Sequence, residues 1–236
     1  MQEQNYKHKV VGLIPARWAS TRFEGKPLVA IKGKAMIQRV WERCQLTKTL
    51  DEVYVVTDDD RIENYCVAHD MQVIRVDKEC STGTDRCVYA SKKLSGDIFV
   101  NIQGDEPIIE PDSIDAVVKE LQTNTRVEVS NAYCKIKDPS KIDDVNVVKA
   151  VINNLGFAMY FSRLPISDNQ QLGLYAFRKN MLSLFLKMDR RVCEQKENVE
   201  MLRILEHDYK LAMVEVDEES VSVDTPQDVI TVEKLI

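Results

Sequence analysis

The chain has 236 residues, 44% hydrophobic and 30% charged, enough for one globular α/β core with a small appended lobe. Its 32 Lys+Arg against 38 Asp+Glu leave a net charge of −6, which excludes a general nucleic-acid binder, because that role needs an extended basic surface. Six scattered cysteines without a CxxC pair, beside only three histidines, argue against zinc and for reduced thiols in a cytoplasmic protein. The polar start Met1–Lys9 lacks the apolar core of a signal peptide, and no apolar run approaches the ~20 residues of a membrane span, so no membrane insertion is expected.

Taken in chain order, Lys9–Ile14 reads as a buried strand that stops at Pro15, and the apolar spacing of Met36, Ile37, Val40, Trp41 and Cys44 predicts a helix over Ala35–Leu46. Between them lies a loop carrying Arg17, Arg22 and Lys26, with Ser20, Thr21 and Gly25 among the cations. Glu52–Thr57 is a β-branched strand, followed by a polar helix start at Asp58-Asp59-Asp60. Gln72–Val76 and Asp97–Ile102 read as strands, Gly83–Leu94 and Asp112–Leu121 as helices, the latter entered at Pro111. Strands alternating with helices of this length imply βαβ units and a mainly parallel sheet.

The rhythm changes after residue 126. Arg126–Ile136, Val145–Asn153, Phe157–Ser162 and Gln171–Phe177 are strand-like with no helical pattern between them, and Asn153-Asn154-Leu155-Gly156 is a hairpin turn. They predict an antiparallel lobe over the sheet, spanning about 127–190 and inserted in a single domain 1–236. Helical patterns return at Asn180–Lys187 and Asn198–Asp208, then a strand at Leu211–Val216 and a last helix from Pro226.

Neither GxxxxGK[ST] nor GxGxxG occurs, so side-chain cations must do what a glycine-rich cradle does elsewhere. The loop after the first strand sits where open α/β sheets bind ligands, and its three cations suit a polyanion such as a nucleoside triphosphate. Ser81-Thr82-Gly83-Thr84-Asp85-Arg86 taken alone reads as a plain N-cap with Asp85 complementing the helix dipole; beside the first loop, the cation in its first turn adds a role in holding the nucleotide. Asn101-Ile102-Gln103-Gly104-Asp105-Glu106-Pro107 ends a buried strand in carboxylates able to hold Mg²⁺ or to form a turn. Asp224 in Asp224-Thr225-Pro226 is a second metal candidate within an ordinary helix-start signature.

Together these clusters resemble the 3-deoxy-manno-octulosonate (KDO) cytidylyltransferases. The matching stretches are Pro15-Ala16-Arg17-x-x-Ser20-Thr21-Arg22-x-x-Gly25-Lys26-Pro27-Leu28, Val56-Thr57-Asp58, Ser81-x-Gly83-Thr84-Asp85-Arg86, Val100-Asn101-x-Gln103-Gly104-Asp105-Glu106-Pro107 and Val223-Asp224-Thr225-Pro226. Tyr160-Phe161-Ser162-Arg163, Leu172-Gly173-x-Tyr175 and Glu200-x-Leu202-Arg203 follow in the same order, so the resemblance covers essentially the whole chain.

The resemblance implies a GT-A-like (Rossmann-like) α/β fold, a homodimer through the smaller lobe, Mg²⁺ dependence, and transfer of CMP from CTP to a 2-keto-3-deoxy sugar acid for lipopolysaccharide or surface-polysaccharide synthesis. Carried over by position, Arg17, Ser20, Arg22, Lys26 and Arg86 would bind the nucleotide. Arg17, Arg22, Lys26 and Asp105 would act in catalysis, Asp105 and Asp224 would hold Mg²⁺, and Gln103, Arg163, Gln171, Tyr175 and Glu200 would line the sugar site. The chain departs from the family where Gln171 replaces a histidine, where Trp18 replaces a tyrosine, at Phe23-Glu24, and in a shortened segment after Arg163. The resemblance implies KDO or a close analogue as substrate, and a neutral amide at 171 favours one whose distal groups differ from those of plain KDO, such as an amino-substituted KDO. The alternatives are a sialic-acid-like 2-keto acid, or a catalytically weak paralogue that only binds nucleotide.

Overall fold

The computed structural model describes residues 8–19, 23–217 and 221–236. The first strand, β1 (Val10–Pro15), is buried on both faces, as a central strand covered by helices must be. Val10 and Ile14 join one apolar cluster, Val11 and Leu13 the other, so the period of two along a single strand separates the two layers of core. A short hairpin follows, β2 (Ala30–Ile31) and β3 (Lys34–Ala35). Its turn residues Lys32 and Gly33 have φ of 42° and 78°, the paired positive values a two-residue hairpin loop needs. The sequence reading passed over this hairpin because two-residue strands carry no periodicity.

Next come α1 (Met36–Cys44), β4 (Glu52–Thr57), α2 (Asp60–Ala68), β5 (Val73–Arg75), α3 (Gly83–Ser91), β6 (Ile98–Asn101) and α4 (Pro111–Thr123). Each matches an expected element to within a few residues. The later half comprises β7 (Val129–Lys135), β8 (Lys149–Ile152), β9 (Ala158–Ser162), β10 (Asn169–Arg178), α5 (Lys179–Phe185), α6 (Val192–Glu197), α7 (Leu202–Glu206), β11 (Ala212–Glu215) and α8 (Pro226–Leu235).

Among the described residues the main sheet runs β11-β7-β10-β6-β1-β4-β5, with β8 and β9 branching from β10. β1 pairs in parallel with both β4 and β6, and β4 with β5. β10 lies antiparallel between β6 and β7. The antiparallel strands belong to the same nine-stranded sheet, with the β8–β9 hairpin branching from β10. The result is the mainly parallel α/β arrangement expected from the sequence.

One face is covered by α1, α2 and α4 through Ile37, Val40, Ile62, Val117 and Leu121, the other by α3, α5 and α7 through Val88, Leu182, Phe185 and Ile204. Burying each such side chain contributes about 1.5–3 kcal/mol. The helix expected over Asn198–Asp208 is confined to α7 (Leu202–Glu206), because Asn198 adopts φ 53° and closes the preceding α6 in a left-handed cap. That break places Glu200 in the turn between α6 and α7. No helix among the described residues is long and apolar enough to cross a membrane.

Candidate active site

The chain leaves β1 for β4 on one side and returns through α3 to β6 on the other, so the loops after β1 and β6 part at their carboxyl ends. A crevice at such a switch point is where open α/β sheets bind ligands. Here it is a cleft of about 230 Å³ whose lining includes Arg17, Lys26, Ser81, Thr82, Arg86, Gln103, Asp105 and Asp224. Close backbone approaches shape it. A Cβ on Gly104 would sit 2.9 Å from the Pro15 carbonyl oxygen, and one on Gly25 (φ 69°) would meet the Trp18 ring at 2.8 Å.

The centre of the cleft is charged. Lys26 Nζ donates to Asp105 Oδ2 at 2.7 Å and to Asp224 Oδ1 at 3.2 Å. These groups come from positions far apart in the chain. Asp105 follows β6, and Asp224 precedes α8, whose capping box between Thr225 and Asp228 also takes the Asp224 N–H at 3.0 Å. The Val223 N–H donates to the Asp105 carbonyl at 2.8 Å and clamps the two segments together. Two convergent carboxylates form a hard-oxygen donor set, and Mg²⁺ is commonly bound by one or two carboxylates with substrate phosphates and waters. The residues present fit that ion.

Arg86 is 5% exposed. Its Nη2 donates to Asp58 Oδ2 at 2.7 Å, so its charge is paired from the strand-end loop of β4. The expected cap at Thr82 is present as a capping box with Asp85, and Gly83 and Arg86 of the same cluster line the cleft. Trp18 packs under the Arg61 guanidinium, 3.6 Å from ring centroid to Cζ, and donates to Glu24, which ties the Arg17 loop to α2. Ser20, Thr21 and Arg22 lie outside the described residues.

The sugar-side candidates separate into those beside the cleft and those beyond it. Gln103 lines the cleft, and a Cβ on Gly173 would lie 2.7 Å from its Cγ, so a glycine there lets β10 press against Gln103. Tyr175 is buried one strand over, paired in register with Asn101 of β6. Burial pushes its phenol well above the ordinary range, with the Glu200 and Glu106 carboxylates adding to the shift. Glu200 accepts from the Thr84 hydroxyl at 2.8 Å, and burial pushes its carboxyl above the ordinary range.

Gln171 and Arg163 do not line the cleft. Gln171 donates to Asn131 Oδ1 at 2.8 Å inside the β7–β10 pair. Asn131 in turn donates to the carbonyls of Leu172 and Leu174, filling the gap where the strand register shifts. The sequence reading missed Asn131; its one signal is an amide in an otherwise apolar stretch. Arg163 donates from Nε to the Glu197 carbonyl and from Nη1 to the Val145 carbonyl. A larger cavity of about 460 Å³ lies between Arg39, Arg43, Leu172, Leu174 and Ile236. Its guanidinium groups donate to the Ile31 and Ile109 carbonyls, so they face the chain itself rather than a ligand.

Comparison with known proteins agrees with this geometry. The cytidylyltransferase family profile matches residues 11–213. The mitochondrial 3-deoxy-manno-octulosonate cytidylyltransferase of Arabidopsis thaliana is 43% identical over 100% of this chain and 86% of its own length. The corresponding enzyme of Zea mays is 43% identical over 98% of this chain and 82% of its own. A solved CMP:2-keto-3-deoxy-manno-octonic acid synthetase complexed with CTP superposes with a TM-score of 0.93 at 33% identity, covering 96% of this chain and 98% of that one. The chain is an enzyme of the cytidylyltransferase family, and within it belongs to the 3-deoxy-manno-octulosonate cytidylyltransferases.

Proposed function

We propose that the protein transfers CMP from CTP to the anomeric hydroxyl of KDO, or of an amino-substituted KDO, releasing pyrophosphate. The observation that carries this reading is the meeting of Lys26, Asp105 and Asp224 in the cleft beyond β1 and β6. The sugar oxygen forms a bond to the α-phosphorus while the bond to the β-phosphate bridging oxygen breaks, and the hydroxyl proton leaves to solvent or a nearby base. Such a reaction depends on positioning and charge neutralisation more than on covalent help. Arg17, Arg22 and Lys26 would neutralise the triphosphate, Ser20 would add a hydrogen bond to it, and Arg86, steadied by Asp58, would hold the nucleotide.

Asp105 and Asp224 would hold Mg²⁺, which lowers the pKa of an attacking hydroxyl and balances charge on the departing pyrophosphate. Lys26 is the residue that keeps these two carboxylates together and offers a donor to phosphate oxygens. On the other side Gln103, Tyr175 and Glu200 would meet the sugar. Arg163, whose Nη1 contacts the carbonyl of exposed Val145, would take the sugar's carboxylate, and Gln171 would set which distal group is accepted.

A homodimer belongs to the same reading. Val145, Leu155, Met159, Leu164 and Ile166 are large apolar side chains exposed around the β8–β9 hairpin, at 45% to 80%. Sedimentation of the wild type checks that. Cytoplasmic location and supply of an activated sugar for lipopolysaccharide or another surface polysaccharide complete the proposal.

The test is pyrophosphate release from CTP and UTP across KDO, its amino-substituted analogue and a sialic acid. Release with CTP and a KDO-type acid is expected. Preference for UTP, or for the sialic acid, would overturn the assignment.

A further inference from the structure

Behind the cleft a chain of buried polar groups runs from β6 through α3 to Glu200. The last residue of β6, Asn101, is 1% exposed and donates from Nδ2 to Thr84 Oγ1 at 2.9 Å. Thr84, fully buried in the first turn of α3, donates to Glu200 Oε1 at 2.8 Å. A hydroxyl has a single proton. Because Asn101 occupies a lone pair of Thr84, that proton is directed to the carboxylate. The relay has a fixed polarity that runs from sheet to helix to the turn between α6 and α7.

Among the described residues, two acceptors at its ends, Asn101 Oδ1 and Glu200 Oε2, have no partner at hydrogen-bond geometry, although the Thr82 hydroxyl lies near enough to Glu200 to lower its carboxyl. Burying such atoms unsatisfied is costly, and the cost is tolerated where a ligand supplies the donor. The relay itself does not line the cleft, but it adjoins residues that do. Thr84 follows Gly83 of the cleft wall, and Asn101 stands two residues before Gln103 and in register with Tyr175.

We propose that Thr84, held by Asn101, is a positioning residue for the sugar acid: it fixes one oxygen of Glu200 and so presents the other to a hydroxyl of the substrate. This rests on the reading of Glu200 as a sugar-site group. Thr84 itself need not touch the substrate.

The groups facing Glu200 come from three elements. Asp85 and Cys87 lie on α3 with the hydroxyls of Thr82 and Thr84, Arg203 on α7, and Tyr175 on β10. Burial raises the carboxyl, and Asp85 adds to that; Thr84, Thr82 and Arg203 lower it. Removing the Thr84 donor therefore moves Glu200 ionisation to higher pH, leaving the acceptor protonated over a wider range.

The experiment measures kcat and both KM values against pH for wild type, Thr84→Val, Thr84→Ser and Asn101→Asp, using the sugar acid that wild type turns over fastest. Thr84→Val should raise KM for the sugar acid roughly tenfold or more, as expected for losing a hydrogen bond to a charged group. The acid limb of kcat/KM for that substrate should move upward, and KM for CTP should stay within about twofold, consistent with a folded cleft. Thr84→Ser, which keeps the hydroxyl, should restore both. Asn101→Asp, which offers Thr84 a competing acceptor, should resemble Thr84→Val.

Unchanged sugar KM in Thr84→Val, a parallel rise in both KM values, or failure of serine to rescue would overturn the proposal. Failure of the substrate reading would appear separately, as a wild type that turns over no KDO-type acid.

Discussion

The half of the site proposed for the nucleotide carries Arg17, Lys26, Asp105 and Asp224 on loops at the rim of the cleft, with the carboxylates about a third exposed at 28% and 36%. The half proposed for the sugar holds Asn101, Thr84, Asn131 and Gln171 between strands and helix, each buried and most of them hydrogen-bonded to one another. Apart from buried Arg86, the charges of the first half keep some exposure and can exchange partners when a polyanion arrives, since ion pairs near solvent are worth little. A buried network of amides and hydroxyls is rigid, and each member constrains the next. The contrast teaches that charge on the one side selects a class of ligand, whereas geometry on the other selects a shape.

The largest expected effect lies at the boundary of the charged half. Asp105→Asn and Asp224→Asn should each lower kcat by on the order of 10² to 10³ while far-UV dichroism stays native, because a neutral amide is a poor ligand for a hard cation. Near-normal turnover at saturating Mg²⁺ would remove both residues from the metal site. Lys26→Ala should cost about 1.5–3 kcal/mol in kcat/KM for CTP, the worth of a charge-assisted hydrogen bond. Unchanged CTP titration and initial rates would make the loop an ordinary solvated surface.

These charged positions were legible in the sequence because their spacing lies within single loops at strand ends: Arg17 and Lys26 after one strand, Asp105 after another. The strands themselves were legible from β-branched runs such as Glu52–Thr57, whose predicted bounds equal the observed ones. The Lys26–Asp224 contact was not, since it joins residues 198 positions apart and depends on the Val223–Asp105 clamp. The register shift in β10 was equally hidden, because it is a property of the pairing with β7 rather than of either strand. Glu200 was placed in a helix, and only the left-handed conformation of Asn198 puts it in a turn.

Smaller effects sharpen the other half. Gly173→Ala puts a Cβ 2.7 Å from Gln103 Cγ and must displace that side chain, so KM for the sugar acid should rise severalfold. An unmoved KM would show that Gln103 yields without cost. Glu206 accepts from the Cys193 and Glu194 N–H groups at 2.8 and 3.0 Å and so anchors the start of α6 to α7. Burial alone would raise its carboxyl, and these N–H donors outweigh that and hold it below 4.5. Its contribution is therefore complete above pH 4.5 and fades as pH falls through the lower folded value. Glu206→Ala should lower unfolding stability at neutral pH by about 1 kcal/mol, with the gap to wild type closing in acid. A gap that widens in acid would contradict the assignment.

The smallest effect is expected at Gln171. Its neutral amide cannot become cationic, whereas an imidazole near pH 6.5 can and would repel an ammonium. Competition between KDO and its amino-substituted analogue should shift severalfold towards plain KDO in Gln171→His. A wild type that prefers plain KDO by a margin the substitution leaves untouched would show that Gln171 is not the selector.

The separation of the two halves is tested most directly by measuring KM for both substrates in Lys26→Ala and Gly173→Ala under one set of conditions. Lys26 belongs to the charged half and Gly173 to the packed one, and both face the same cleft through Lys26 itself and through Gln103. The account predicts that Lys26→Ala raises KM for CTP with that for the sugar acid nearly unmoved, and that Gly173→Ala does the reverse. If either substitution moves both values together, the cleft works as one undivided site and the division between exposed charge and buried geometry is wrong.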